Sequence, residues 1–231
     1  MILRNLTFQN ELSLDEEIVY VLEVHSPRLF GRIVQSFLAM EAGDAPVEPF
    51  SFHQNDSVVD CEKLLYVVSD PFQINLNSKK NLTLLYNKVA AMLAEDAQKH
   101  AKWRLLASEM AEMMERISQE LPCATQTDAE LSIGGYLKDT GYQFETPASA
   151  EVVERILALM EFISQFCPNR LLVLCNSISY LTDEKRVELL KYACYTKVKL
   201  LCIDAAPLPP QCLHEVRWVF SSDYDDEIKR I

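Results

Sequence analysis

The chain has 231 residues, 49% of them hydrophobic and 24% charged. That is enough apolar surface for one large core or for a domain carrying an insertion, and it excludes disordered, collagenous and low-complexity classes. The formal net charge is −12, which excludes nucleic-acid binding spread over the whole surface.

The opening residues read as strands. Apolar Leu6 and Phe8 punctuate 3–8, Asn10-Glu11 can turn the chain, and 12–14 can return it. The run EIVYVLEV at 17–24 is rich in β-branched residues and predicts a buried strand. Ser26-Pro27 then has the chemistry of a helix start, an N-cap followed by proline in the first turn. In 28–40, Phe30, Ile33, Val34, Phe37 and Leu38 recur at helical spacing. The stretch 41–57, with Gly43, Pro46 and Pro49, reads as loop or edge strand. KLLYVV at 63–68 is the next core strand and stops at Ser69-Asp70-Pro71.

From Ser78 or Asn81 to about Gln119 no Pro or Gly interrupts a stretch rich in Ala, Leu, Met, Glu and Lys. An unbroken helix of that length reaches about 60 Å, so it must project or bend. Pro122 ends it. A short helix is expected over 127–137, at or through Gly134-Gly135. Thr146-Pro147 opens a helix over 148–166, and Cys167-Pro168 closes it.

The last third alternates. RLLVLC at 170–175 is a strand, Thr182 caps a helix over 183–195, and KVKLLCI at 197–203 is a strand. Pro207, Pro209 and Pro210 mark a loop, 217–221 is a final strand, and 223–227 reads as an acidic tail. Short apolar strands separated by helices predict an α/β fold with a mostly parallel sheet covered on both faces. The expected architecture is an α/β head made of 1–76 and 168–231, with a helical leg inserted at 77–167.

Compartment and chemistry follow from residue usage. Apolar runs such as 64–68 and 171–175 fall far short of the about 20 residues that span a bilayer. The first residues lack the pattern of a signal peptide, so a cytoplasmic protein without membrane partners is expected. Seven cysteines include no Cys-x-x-Cys pair and sit mostly in apolar runs, which predicts buried reduced thiols. His25, His53, His100 and His214 lie too far apart to predict a zinc site.

An α/β head invites a nucleotide, yet the turn after the first core strand is His25-Ser26-Pro27-Arg28, with a lone Gly31 inside the helix. A phosphate cradle needs glycines there so that backbone N–H groups can approach the phosphates. Ser177 and Ser179 follow a strand but lack a nucleophile motif and a nearby histidine; Asn176-Ser177 reads as a turn. Asp70, followed by Pro71, reads as a turn start rather than a magnesium ligand.

The acidic balance has one exception. The window 79–104 holds Lys79, Lys80, Lys88, Lys99, Lys102 and Arg104 against Glu95 and Asp96. On one continuous helix Lys88, Lys99 and Lys102 fall within about 60° of one another, with Lys80 beside them. Glu95 interrupts this stripe and can pair with Lys99. The stripe suits phosphate contacts along a groove and reads no bases. Glu120, Asp128 and Glu130 are candidate oxygen ligands for a hard cation, without D-x-D-x-D spacing.

Four stretches in order carry a family resemblance: FGRIVQSF at 30–37, LLYVVSDPFQINLNSKKNLTLLYNKV at 64–89, TGYQFE at 140–145, and LLVLCNSISYLTDEKRVELLKYACYTKVKLLCID at 171–204. The chain resembles the CRISPR-associated spacer-acquisition ring proteins of type II-A systems. The resemblance implies an α/β head related to P-loop NTPases but without their nucleotide site, and an inserted long-helix leg. It implies a homotetrameric ring with a positive hole that takes up double-stranded DNA ends without sequence preference. It further implies action with the integrase and the RNA-guided effector nuclease, and no catalysis by the ring itself. By location in the leg, Lys79, Lys80, Lys99, Lys102 and Lys138 are the DNA candidates. Calcium is a family ligand at acidic clusters, but here Pro122, Thr125, Gln126 and Thr127 stand among Glu120, Asp128 and Glu130, so no cofactor is required. Two other readings stay open, a protein-binding scaffold of the adaptation complex and an NTPase.

Overall fold

A computed structural model of the protein describes residues 1–14, 19–55, 57–123, 131–145, 151–212 and 215–230. Strands β1 (Ile2–Asn5) and β2 (Leu12–Ser13) pair antiparallel. Strand β3 (Val19–Val24) is buried at every position, as its continuous apolar run requires. Ser26 caps α1 (Pro27–Glu41), its hydroxyl accepting from the Leu29 N–H at 3.3 Å. Leu29, Ile33, Phe37 and Met40 form the buried stripe of α1. The chain continues through β4 (Phe50–Gln54), β5 (Ser57–Val58), the single turn α2 (Cys61–Leu64) and β6 (Leu65–Val68). Helices α3 (Lys79–Glu95), α4 (Ala97–Gln119), α5 (Ile133–Asp139) and α6 (Val152–Phe166) follow. Then come β7 (Leu171–Cys175), α7 (Asp183–Thr196), β8 (Lys199–Ala205), β9 (Glu215–Phe220) and β10 (Asp226–Arg230).

The main sheet has six strands in the order β10-β9-β3-β8-β7-β6. All pairs are parallel except β10 with β9. A four-stranded sheet, β2-β1-β4-β5, is antiparallel. Side-chain alternation sends Leu22, Val173, Ile203 and Trp218 into the core shared with α1 and the small sheet. Phe37 sits at that junction, its ring centroid 5.5 Å from Phe50 and 6.1 Å from Phe52. Truncating it to Ala removes those contacts and costs about 3–5 kcal/mol. Helices α6 and α7 pack against each other, and α7 contacts β3.

The described chain divides into two compact units, Met1–Ile74 with Pro147–Ile231, and Asn75–Thr146. The second unit has little core of its own. Leu76, Leu85, Leu137 and the side chain of Asn81 are buried in it, and α4 buries no residue. Its two ends are clamped by the Asn77 amide, which donates to the Phe144 carbonyl at 3.0 Å and accepts from the Phe144 N–H at 2.9 Å.

Several elements depart from the sequence reading. The long helix is broken at Asp96, whose backbone turns to φ −100° and ψ 99°. Its carboxylate accepts from the Gln98 and Lys99 N–H groups, so Asp96 ends α3 and caps α4. Ser78 is the cap of α3, and Asn81 lies inside the first turn. Helix α6, assigned from the sequence to the leg, groups with the first unit because Val153, Ile156, Met160 and Ile163 are buried there. It starts at Val152, where the Glu154 carboxylate accepts from the Glu151 N–H at 2.9 Å; the Thr146-Pro147 signal lies outside the described residues. Helix α5 runs through Gly134-Gly135 behind a Ser132 cap, and the first part of the helix expected over 127–137 lies outside the described residues. The expected acidic tail, 223–227, is a turn leading into strand β10, which the Asp226 carboxylate fastens by accepting from Trp218 Nε1 at 2.8 Å and from the Gln9 and Asn10 N–H groups.

Candidate nucleic-acid interface

All the lysine candidates fall in the second unit. Lys79, Lys80 and Lys88 project from α3, Lys99 and Lys102 from α4, and Lys138 from the last turn of α5, each exposed. Lys79 and Lys80 stand in the first turn of α3, where the helix macrodipole adds positive potential. The continuous stripe drawn from helical periodicity does not hold, because the break at Asp96 resets the phase between Lys88 and Lys99. Lys99 and Lys102 remain one turn apart on α4. Lys99 pairs with Asp96 at 3.0 Å rather than with Glu95. Such an exposed pair is worth about 0–1 kcal/mol, so a phosphate can displace it.

Helix α4 presents a second feature. Leu106, Met110, Met113 and Ile117 are exposed, at spacings of four, three and four residues. That is the a/d spacing of a coiled-coil seam. Beside it, a cleft of about 350 Å³ is lined by Trp103, Leu106, Met110, Met113, Leu131 and Tyr136. Trp103 and Tyr136 meet edge to face at 5.3 Å and link α4 to α5.

The carboxyl ends of the parallel strands, where α/β enzymes place their chemistry, use their polar side chains structurally. Ser26 is occupied as a cap. Asp70 accepts from the Phe72 N–H at 2.9 Å and from the Gln73 amide at 2.7 Å, starting the turn its sequence predicts. Ser177 is buried, its hydroxyl donating to the Cys175 carbonyl at 3.3 Å. Arg217 is held between Glu23 and Glu215 at 2.7 Å each, and Glu23 also meets His25 at 3.1 Å. Asp204 is fully buried. One of its oxygens accepts from the Ile178 N–H at 2.9 Å and the Ser179 N–H at 3.4 Å, while Oδ2 has no partner. Burial pushes this carboxyl up to about 7, against the pull of the donating N–H groups.

Residues 44–224 match the family described as CRISPR-associated protein (Cas_Csn2). The chain belongs to the Csn2 family. The match covers both units and carries a CRISPR-associated role, consistent with adaptation. Among the described residues, no helix of this Csn2 chain is long and apolar enough to cross a membrane.

The calcium expectation named Glu120, Asp128 and Glu130. Glu120 is an exposed residue at the C-cap of α4, while Asp128 and Glu130 lie outside the described residues. Among the described residues, no three His, Cys, Asp or Glu side chains converge on a point.

The buried Asp204, the Glu23–Arg217–Glu215 bridge and the Trp103–Tyr136 contact were not anticipated. Sequence carries no local signal for them, since each joins residues from different elements.

Proposed function

We propose that this Csn2 chain is a non-catalytic cytoplasmic protein that assembles into a homotetrameric ring, binds double-stranded DNA ends without sequence preference, and assists acquisition of new spacers. The integrase and the RNA-guided effector nuclease are its partners in that process. The observation that carries the reading is the exposed basic window of Lys79, Lys80, Lys88, Lys99 and Lys102 on α3 and α4, in a chain with net charge −12. Fields decay over about 8 Å at physiological salt, so a local cation cluster acts independently of the global balance. Several copies with this cluster facing inward concentrate positive charge where phosphates pass. Lys79, Lys80, Lys99, Lys102 and Lys138 make the contacts. The exposed apolar seam on α4 supports self-assembly: burying each of its large side chains is worth about 1.5–3 kcal/mol.

The same reading derives the main sheet from the P-loop NTPases and treats the second unit as an inserted leg. Against nucleotide hydrolysis stands the β3–α1 turn, in which Ser26 and Pro27 occupy the place of a glycine cradle.

The test is DNA binding by the intact oligomer to linear and closed-circular duplexes of equal sequence, across salt. Retention of the linear form alone, falling steeply with salt as counterions are released, is the expected result. Lys99→Glu with Lys102→Glu should lower that retention by at least tenfold. Equal binding of both forms refutes end-threading. No binding to either leaves the scaffold reading.

A further inference from the structure

An aromatic and acidic face lies on the first unit, and none of its residues is one the DNA reading uses. It forms where β6 and β7 end. After β6 the chain makes a tight turn at Pro71–Gln73, and after β7 a second one at Ile178–Tyr180. The two turns bring Phe72 and Tyr180 together edge to face at 4.9 Å. Both rings stay in water, 53% and 49% exposed. Their positions are held: Arg155 donates to the Phe72 carbonyl at 3.1 Å, and the Asn176 amide donates to the Tyr180 hydroxyl at 3.3 Å.

Carboxylates flank the two turns, with the Arg155 guanidinium on the first. Asp70 opens the first turn, and Asp183 and Glu184 stand in the first turn of α7. Glu151 and Glu154, at the start of α6, both reach Lys185 of α7 electrostatically, so the starts of the two helices share one field. Lys185 is already engaged by Glu188 at 2.9 Å. From Glu184 onward, α7 carries an open groove of about 430 Å³ lined also by Val187, Glu188, Lys191, Tyr192 and Tyr195. Tyr195 is 84% exposed.

A ring pair exposed among carboxylates repels phosphate and attracts cations. Each ring face carries negative potential and accepts a guanidinium or ammonium within about 6 Å. Nearby carboxylates add charge-assisted hydrogen bonds to the same group. We propose that this face docks a basic segment of a partner protein, with an Arg or Lys over the Phe72–Tyr180 pair and further cations along α7. The docking is independent of the lysines in the second unit, so it stands or falls separately from DNA binding.

The probe is a short fluorescent peptide of alternating Arg and Ala, with a Glu–Ala peptide as control, followed by anisotropy on the intact protein. The Arg peptide binds and the Glu peptide does not. Phe72→Leu and Tyr180→Leu keep apolar volume but lose the π face, and each should weaken binding about two- to fivefold. Glu154→Gln with Glu184→Gln should weaken it further, most at low salt. Glu112→Gln with Glu115→Gln, equally acidic but on α4, should change nothing. Thermal melts verify that the variants fold, and linear-DNA retention should be unchanged by all of them. The proposal is overturned if the leucine variants bind like the parent, or if the α4 variants lose as much binding. A change of oligomer size in the leucine variants also overturns it, since the face is then a contact between copies.

Discussion

Replacing Asp204 by Asn removes a buried carboxyl whose ionisation the fold opposes. In the folded protein this group titrates at about 7, against an ordinary 3.8. Between those values the unfolded chain is ionised while the folded one keeps its proton. Stability therefore falls as pH rises, by about 1.4 kcal/mol per pH unit, and levels off above about 7. The contribution is fully present below 3.8 and lost on passing through the folded value. From pH 5 to pH 8 the loss is about 2.5 kcal/mol. Asn copies the neutral acid: its amide oxygen can accept from Ile178 and Ser179, and its NH₂ stands where Oδ2 has no partner. Asp60, Asp96 and Glu184 are shifted the opposite way, held low by hydrogen bonds, and stabilise the fold above the carboxylate range. They are common to both proteins and cancel in the difference. Urea denaturation of parent and Asp204→Asn at pH 5 and pH 8 reads it directly. The variant should gain about 2.5 kcal/mol on the parent between the two pH values. Parallel pH curves would refute the reasoning.

Two further predictions concern the seam and the thiols. Met110→Asp with Met113→Asp puts charges into the seam of α4, and light scattering should show the assembly dissociating while circular dichroism keeps its helix content, because both side chains are exposed. An oligomer of unchanged size would remove α4 from the interface. Cys123 is exposed and should react with a thiol reagent at once, whereas Cys175, pushed up to about 12 by burial, and the fully buried Cys202 should react only on unfolding. Prompt modification of either, located by mass spectrometry, would contradict the packing of β7 and β8.

Elements of the first unit were legible where local chemistry and hydrophobic pattern agree. Ser26-Pro27 marks α1 because the cap and the proline act within one turn. Thr182, followed by Asp183 and Glu184, marks α7 for the same reason. The apolar runs of β3, β7 and β8 announce strands buried on both faces. The break at Asp96 was harder. Ala, Leu, Lys and Glu favour helix on both sides of it, and Lys99 stands where a capping box would put Glu or Gln. The side-chain cap decides the break, and with it the phase of the lysines.

By itself the sequence determined the alternation of strands and helices, the acidic balance with one basic window, and the missing glycine cradle. These are properties of neighbours along the chain, where periodicity, capping and charge act within a few residues. Only the tertiary structure decided which strands neighbour which, that β10 returns antiparallel onto β9, and that α6 belongs with the sheet. It also decided that Asp204 faces the turn after β7 and that Phe72 meets Tyr180. The contacts of Asp204 and Phe72 join residues far apart in the chain, and their chemistry depends on burial and on partners that only folding brings together.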